Sequence, residues 1–379
     1  MDRTYQICKR CVMDTTDVDI YFDSEGYCNH CTSAYKRLEE SIFIKESFKE
    51  KYLSNTISKI KKSNKNQYDC IIGLSGGVDS SYLAYLVVNK YHLRPLAVHI
   101  DNGWNSELAV SNIENIVNKL NIDLHTHVIN WTEFKELQRA FLKASVVDLE
   151  MLSDHAISLV IYKLARKHKI RYFLSGSNIV TESLMPDKWY YKHKLDSLNI
   201  KDIIKKYGDN IKLSTYPLFN YVQYIFKNKY VKHYALLNLV EYDKEKAKSI
   251  ISKELGWKDY GGKHLESDIT KFYQNHILPQ KYNIDKRRAH LSMLICAGQL
   301  SRESALNQLA TPLYDQVELA NDTEYFIKKL ELSPREYGLI MKSPRREHQE
   351  FKSYHTKYLK HVKVFQFLKN LFLGSSKNI

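Results

Sequence analysis

Residues 69–89 constrain the fold of this chain more than any other part of the sequence. They begin with a short apolar run, Asp-Cys-Ile-Ile-Gly-Leu at 69–74, which is typical of a buried strand. Ser-Gly-Gly-Val-Asp-Ser-Ser follows at 75–81, and residues 80–89 have apolar positions at helical spacing. A strand, a glycine-rich turn and a helix in this order predict the first half of a βαβ unit.

The same alternation continues along the chain. Strands are predicted at 95–100, 123–129 and 171–175, with helices at 106–119, 132–144 and 154–167 between them. Strands that alternate with helices at these lengths form right-handed βαβ units. We therefore predict an α/β fold with a doubly wound parallel sheet, which would bind its ligands at the carboxyl ends of the strands.

Composition divides the 379 residues into three predicted parts, 1–45, 46–235 and 236–379. The first contains two cysteine pairs and the start of a helix expected at 34–60, the second the sheet, and the third is mainly helical and basic. The net charge of +14 favours an anionic partner such as a nucleotide, a sugar nucleotide or RNA. Because no apolar run has the length of a membrane span or signal peptide, we expect a cytoplasmic protein.

The turn at 75–81 has the chemistry of an anion site. A strand-to-helix turn directs backbone N–H groups and the positive end of the helix dipole at one point. The hydroxyls of Ser75 and Ser80 can add hydrogen bonds, and Asp79 could hold the loop or place a Mg²⁺ ion. The turn is neither a Walker loop nor a Gly-x-Gly-x-x-Gly fingerprint. An ordinary glycine-rich turn is the alternative.

Four cysteines form two close pairs, Cys8 with Cys11 and Cys28 with Cys31. This spacing predicts a structural four-cysteine zinc ribbon, whose closed coordination leaves no position for catalysis. An iron–sulfur cluster or a redox pair remains an alternative. His30, between the second pair, is a less favoured ligand.

A basic signature lies in the third part of the chain. Lys263 follows two glycines, and Arg287 and Arg288 stand side by side. These cations could clamp a phosphate, and Glu266 could orient an amine or a sugar hydroxyl. The alternative is a solvated basic helix face.

The hexapeptide Ser-Gly-Gly-Val-Asp-Ser after an apolar strand resembles the PP-loop of the ATP pyrophosphatases, whose fold is of the adenine nucleotide alpha hydrolase type. In that family, which includes GMP synthetase and tRNA-thiolating enzymes, the loop holds pyrophosphate while a substrate oxygen attacks the α-phosphate. The resemblance implies ATP binding by Ser75, Gly76, Gly77, Val78, Asp79 and Ser80, by His99, Ile100 and Asp101 at the end of the second strand, and by Ser175, Gly176 and Asn178 at the end of a later one.

Further motifs resemble the N-acetyl sugar amidotransferase family over nearly the whole chain. They are the cysteine pairs, Asp-Asn-Gly-Trp at 101–104, Ser-Asn-Ile-Val-Thr-Glu-Ser at 177–183, Gly-Trp-Lys-Asp-Tyr-Gly-Gly-Lys-His at 256–264 and Asp-Lys-Arg-Arg-Ala-His at 285–290. Members convert an acetamido group to an acetamidino group in O-antigen, pseudaminic acid or legionaminic acid pathways. The resemblance implies catalytic Asp79, Lys263, Arg287 and Arg288, and substrate binding by Glu182, Gly262, Lys263, His264, Glu266 and Lys271.

The implied reaction consumes ATP with Mg²⁺, acts on a nucleotide-activated N-acetyl sugar, and needs ammonia. Position 2 is Asp, and Cys70 and Cys296 lie in apolar runs, so no glutaminase thiol is evident. The resemblance implies a separate glutaminase and ammonia-channelling pair similar to that of histidine biosynthesis. A PP-loop tRNA thiolation enzyme and a zinc-ribbon scaffold with an inert loop are the alternatives, and nucleic acid is not the expected partner.

Overall fold

A computed structural model describes residues 4–63, 67–182, 184–209, 211–260 and 267–362, and within them the strands form one five-stranded, wholly parallel sheet. The spatial order is β3-β2-β1-β4-β5. The strands are β1 Cys70–Gly73, β2 Pro95–Asp101, β3 Asp123–Val128, β4 Tyr172–Ser175 and β5 Lys232–Ala235. The predicted parallel sheet is confirmed, and β5 is an edge strand that the sequence did not reveal.

The strand order reverses at the centre of the sheet. The chain winds outward from β1 through β2 to β3, then returns to the opposite side of β1 with β4 and β5. The connections that follow β1 and β4 consequently leave in different directions and open a crevice at the carboxyl ends of the strands. The loop at 75–81 lies at this switch point.

Helices cover the sheet and continue beyond it. From the N-terminus to the end of the sheet they are α1 Asn29–Ser41, α2 Glu46–Ser63, α3 Val78–Tyr85, α4 Glu107–Leu120, α5 Trp131–Ala144, α6 Met151–Lys167, α7 Ile179–Glu182, α8 Ser197–Tyr207 and α9 Tyr221–Tyr230. After β5 they are α10 Lys244–Leu255, α11 Asp268–Phe272, α12 Leu278–Tyr282, α13 Lys286–Cys296, α14 Arg302–Ala310, α15 Gln316–Lys329 and α16 Pro334–Lys342.

Successive residues of the strands enter different cores. Ile72, on one face, packs in a cluster with side chains of α2, α3, α4 and α10. Ile71, its neighbour, faces the opposite side and packs with Val160 and Leu164 of α6. Since side chains alternate along a strand, apolar residues at consecutive positions of β1 and β2 require cover on both faces, which is the doubly wound arrangement.

The helix predicted at 34–60 is two helices in the structure. The first ends where Ile42 and Phe43 both donate backbone N–H groups to the carbonyl of Leu38. Leu38 belongs to the core around the cysteine pairs, whereas Ile57 and Ile60 of α2 belong to the core under the sheet. A single straight helix would not serve both cores, so the prediction of one helix was wrong.

The N-terminal part, residues 4–28 with α1, packs directly on α13 and α14; we call it the cysteine module. Arg302 donates to the carbonyl oxygens of Cys8 and Cys11 at 3.0 Å each. Val12 packs with Leu291 and Ala305. The module therefore shares a core with the C-terminal helices. The predicted domain boundaries themselves stay predictions.

Candidate functional site

The loop at 75–81 joins β1 to the N-terminus of α3, as predicted. Gly77 is the N-cap, so the N–H groups of the first helical turn follow directly after it. The hydroxyls of Ser75 and Ser80 lie 3.1 Å apart, and the N–H of Gly77 donates to Ser75 Oγ at 3.3 Å. The loop is thus closed on itself by short polar contacts, with its backbone N–H groups at the switch point of the sheet.

Gly76 cannot be replaced without moving the loop. Its φ is +80°, and a Cβ there would lie 2.6 Å from the backbone oxygen of Ala109 in α4. Its own carbonyl accepts a 2.8 Å hydrogen bond from Nε1 of buried Trp257. The glycine is therefore required by both its dihedral angle and its close approach to α4.

The loop that follows β4 lies against the same turn of α3. A Cβ on Gly176 would be 2.8 Å from the carbonyl of Asp79 and 3.0 Å from the backbone nitrogen of Ser80. Beside it, His233 Nε2 contacts the hydroxyl of Ser175 at 2.7 Å. The structure hence brings two of the predicted ATP-binding segments together, although His233 was not among the predicted residues.

Two tyrosines from after β5 also reach the loop. The hydroxyl of Tyr242 donates to Oδ1 of Asp79. The N–H of Val78 donates to the hydroxyl of Tyr260 at 3.3 Å. Together with Trp257 they form a clamp that we call the aromatic clamp. Sequence reasoning missed their roles because they lie more than 160 residues from the loop, and no local pattern reports such a contact.

Hydrogen bonds hold the ring of His99 next to the start of the loop. Its Nδ1 contacts the carbonyl of Leu74 at 2.9 Å, and Nδ2 of Asn105 donates to its Nε2 at 3.0 Å. Burial lowers the pKa of His99 and so favours the neutral ring, and the contact with the Leu74 carbonyl favours the tautomer with the proton on Nδ1. This histidine ties β2 to the end of β1. Its neighbours Ile100 and Asp101, and Asn178 after β4, stay predicted ATP ligands.

The turn after β2 is hydrogen-bonded to the wall of a large cavity. Nδ2 of Asn102 donates to Ser153 at 3.1 Å, and Nε1 of Trp104 donates to Gln138 at 2.8 Å. Ser153 and Gln138 line a polar cavity of about 980 Å³ between the cysteine module and the starts of α6 and α11. We call it the module cavity. Its volume is ample for a sugar with a further group attached.

The four predicted metal ligands converge. Their sulfur atoms all lie within 4.8 Å of one another, and all four residues are fully buried. Sγ of Cys8 is 3.7 Å from that of Cys31, and Sγ of Cys11 is 3.6 Å from that of Cys28. A tetrahedral ion with Zn–S bonds of about 2.3 Å separates its sulfur atoms by about 3.8 Å. The cluster fits one metal ion.

Backbone and side-chain N–H groups surround these sulfur atoms. Cys28 N–H donates to Sγ of Cys8 at 3.2 Å, and Nη2 of Arg10 donates to Sγ of Cys31 at 3.2 Å. Hydrogen bonds with the thiols of Cys11 and Cys28, and with Arg10, lower the pKa of Cys31 to about 6. These donors would stabilise thiolates at Cys8 and Cys31, the form that binds metals.

Predicted residues of the substrate side are only partly described. Gly262, Lys263, His264 and Glu266 lie outside the described residues, as does the side chain of Glu182. The described residues on either side are both close to the site, because Tyr260 contacts Val78 and Ser267 pairs with Asn105. Their assignments stay predictions.

Three cationic residues predicted to act in catalysis or substrate binding lie in the described part of the chain, and each forms ion pairs within the protein. They are Lys271, Arg287 and Arg288. Lys271 pairs with Glu318 at 2.6 Å and with Asp322 at 2.8 Å. Arg287 pairs with Asp285 at 2.8 Å and donates to the last carbonyls of α14. Arg288 pairs with buried Asp14 at 3.0 Å. These contacts give each side chain a structural role in the C-terminal helices and the cysteine module.

Two protein families match parts of the chain. Residues 266–366 match the family described as LPS biosynthesis protein WbpG-like, C-terminal domain. Residues 49–170 match the NAD synthase family.

Among the helices of the described residues, none has the length and apolar character needed to cross a bilayer.

The sequence is also similar to two curated proteins. It is 28% identical over 118 residues to an uncharacterized protein of Methanocaldococcus jannaschii, covering 31% of this chain and 40% of that one. It is 28% identical over 178 residues to the tRNA-specific 2-thiouridylase MnmA of Vesicomyosocius okutanii, covering 41% of this chain and 49% of that one. The chain thus spans less than half the length of each.

Solved structures with partial similarity include two synthetases and a thiolase. The NMN synthetase of Francisella tularensis has a TM-score of 0.36 and 16% identity, with 76% of this chain and 98% of that chain covered. The NH3-dependent NAD synthetase of Campylobacter jejuni gives 0.34 and 13%, with 80% and 99% covered. The U34-tRNA thiolase NcsA of Methanococcus maripaludis, with its [4Fe-4S] cluster, gives 0.33 and 13%, with 77% and 86% covered.

The family matches and the geometry of the loop agree. The NAD synthase match includes β1, the loop and α3, and the WbpG-like match begins just before α11 and includes α13. The two matches support the N-acetyl sugar amidotransferase family within the PP-loop superfamily, as predicted from the motifs of the chain.

Proposed function

We propose that this protein is an ATP-dependent amidotransferase that converts the acetamido group of a nucleotide-linked N-acetyl sugar into an acetamidino group. The observation that carries the proposal is the position of the module cavity, whose wall is hydrogen-bonded to the turn beside the PP-loop. A polar cavity bonded to the turn at the carboxyl end of β2 suits a sugar whose amide is activated by ATP. The WbpG-like match supports surface polysaccharide synthesis as the pathway class.

An amide needs activation because its carbonyl is a poor electrophile and its oxygen a poor leaving group. In the proposed reaction the acetamido oxygen attacks the α-phosphate of ATP, and pyrophosphate leaves. Ammonia then adds to the imidate carbon, and AMP departs with the original oxygen, so the products are the amidine, AMP and pyrophosphate. Positioning and charge stabilisation would supply most of the rate enhancement.

The described residues have distinct roles in this scheme. The hydroxyls of Ser75 and Ser80 would bind the pyrophosphate oxygens, and the N–H groups of Gly77 and Val78 would exchange their 3.3 Å contacts with Ser75 and Tyr260 for the same oxygens. Asp79, oriented by Tyr242, would help hold a Mg²⁺ ion, which neutralises phosphate charge when bound. Lys263 remains the residue proposed to stabilise the negative charge of the leaving pyrophosphate.

The nitrogen would come from a partner protein. The six cysteines of the chain are all buried, four of them in the metal cluster. Burial raises the pKa of Cys70, and it raises that of Cys296 to about 12. Neither thiol suits nucleophilic attack on glutamine. We propose a separate glutaminase and ammonia-channelling pair, and we place the reaction in the cytoplasm, where ATP is available.

A PP-loop tRNA thiolation enzyme is the second candidate, and the match to MnmA of V. okutanii is what favours it. The same two buried thiols count against it, because sulfur transfer through the protein requires an accessible thiolate.

We propose zinc as the metal of the cysteine cluster. The ligands of an iron–sulfur cluster would have to be spaced more widely than these four sulfur atoms, which lie within 4.8 Å of one another.

Mass spectrometry of the sugar product tests the proposal. Purified protein is incubated with ATP, Mg²⁺, an ammonium salt and UDP- or CMP-linked acetamido sugars. We expect replacement of one oxygen by NH in a sugar, accompanied by AMP and pyrophosphate in equal amounts. Sugar-independent AMP formation with every acetamido sugar unchanged would refute the substrate assignment. Sulfur transfer to tRNA under thiol-donor conditions would establish the second candidate.

A further inference from the structure

The cysteine module does more than pack against the C-terminal helices, because it also contributes to the wall of the module cavity. Asn29 and His30 lie between the ligands Cys28 and Cys31, and Ser33 and Arg37 extend the same surface one and two turns along α1. Each of these side chains lines the cavity. The module therefore presents polar side chains, including those of exposed Ser33 and Arg37, to the cavity.

Charged side chains elsewhere in the cavity wall form ion pairs with one another. Lys286 pairs with Glu150 at 2.5 Å, and Lys192 pairs with Asp187 at 2.5 Å. Lys194 pairs with Asp154 at 2.8 Å. A cavity wall of compensated ion pairs and neutral polar groups offers many hydrogen bonds without a net field, which suits the hydroxyls of an uncharged sugar ring.

The surface of α1 differs from the interior of the cavity. Arg37 is exposed, and its Nε donates to the carbonyl of Ser33 at 3.3 Å. Within the described part of the chain no acidic side chain pairs with it. Its guanidinium remains available to an anionic group of a ligand that enters from the module side.

The opposite wall approaches the reaction centre. Ser153 and Gln138 are hydrogen-bonded to Asn102 and Trp104, which follow the strand next to β1. A ligand held between the two walls would therefore extend from α1 toward the PP-loop. Its uncharged ring would face the ion pairs, and its anionic end would face Arg37.

We infer that the cysteine module forms one wall of the sugar-binding site, with Ser33 beside the sugar and Arg37 binding its phosphate or carboxylate. The inference rests on the proposed function for the identity of the ligand as an acetamido sugar. The metal would then act on substrate affinity indirectly, because it fixes the start of α1.

Binding is tested separately from turnover. UDP-N-acetylglucosamine and CMP-N-acetylneuraminic acid serve as probes, and calorimetry without ATP measures Kd. Ser33→Trp should fill the space beside α1 and weaken probe binding at least about tenfold, equivalent to about 1.4 kcal/mol. Arg37→Ala should weaken it similarly. Lys36→Trp and Lys36→Ala are matched controls, because Lys36 is an exposed neighbour on α1 that does not line the cavity.

The outcomes distinguish this inference from the proposed function. If the probes bind the wild type and Ser33→Trp and Arg37→Ala match their Lys36 controls, the inference is wrong and the amidotransferase proposal survives. Loss of binding in both cavity variants, with ATP affinity and metal content unchanged, supports the inference even if no amidine forms. Failure of both probes to bind the wild type at millimolar concentration would overturn it.

Discussion

At the residue scale, the site depends on a few positions at which only one residue type fits. Gly76 is the most restricted because its positive φ and its approach to Ala109 act together. The sequence pattern located this glycine correctly through the hexapeptide. It did not show that Tyr242 and Trp257 contact the loop: Tyr242 lies outside every motif, and Trp257 lies in the motif at 256–264, whose sequence says nothing about what the side chain contacts.

Gly76→Ala should abolish ATP-dependent AMP formation and destabilise the protein by about 1–3 kcal/mol, because the alanine would be strained and would clash with α4. Enzyme assays and urea unfolding measure the two effects. Gly73→Ala is the control, since a Cβ there meets nothing within 4 Å. Equal behaviour of the two variants would show that the loop geometry described above is not required.

Tyr242→Phe should reduce turnover about tenfold, since a hydrogen bond to a charged group contributes about 1.5–3 kcal/mol. The lost bond orients Asp79. Steady-state kinetics with varied Mg²⁺ should show a higher requirement for the ion. Tyr82→Phe is the matched control, because its ring packs against that of Tyr242 while the variant keeps the Asp79 contact. Unchanged Mg²⁺ dependence in Tyr242→Phe would contradict this role of the hydroxyl.

At the element scale, the strands inside the sheet gave the clearest sequence signal. β1 and the first four residues of β2 are apolar because both of their faces are buried. β5 is Lys-His-Tyr-Ala at an edge, and only its second half is even partly buried. Such a short polar segment becomes a strand because it pairs with β4, and the local sequence does not reveal that pairing.

Glu133 in the first turn of α5 provides a test at this scale. Burial would raise its pKa, but hydrogen bonds from the hydroxyl of Ser214 and the N–H groups of Tyr216, Ser214 and Thr215 outweigh it and lower the pKa to about 2. A lowered pKa stabilises the fold above the unfolded value, about 4.3, and this contribution disappears as the pH falls toward 2.

Glu133→Gln should consequently lose about 1.5–3 kcal/mol of unfolding free energy at pH 7. The difference from the wild type should shrink as the pH is lowered from about 4.3 toward 2. Urea unfolding at several pH values measures it. Glu136→Gln on the same helix, whose partner is Arg139 at 3.6 Å, should change little. A constant difference across pH would exclude the carboxylate as its source.

At the scale of the whole molecule, the cysteine module, α11, α12, α13 and the start of α6 share one core. The sequence predicted three parts, and their mutual packing could not be read from it because these contacts join residues nearly 300 positions apart. Loss of the metal should hence affect more than the module.

Cys11→Ser should lower bound metal below one ion per chain and reduce the thermal stability of the protein as a unit. Elemental analysis and circular dichroism at increasing temperature measure both. Cys70→Ala should retain the metal, because Cys70 lies in β1 and outside the cluster. If Cys11→Ser kept both its metal content and its transition temperature, the cluster would not be a metal site.

The aromatic clamp has a consequence for how the protein is made. As the chain emerges from the ribosome, β1 and the loop appear long before Tyr242, Trp257 and Tyr260, which hold the loop from after β5. A nascent chain that ends at residue 235 contains every strand of the sheet yet none of these three contacts. We expect such a chain to bind ATP poorly, so that nucleotide affinity appears late in synthesis and reports that the C-terminal half has arrived.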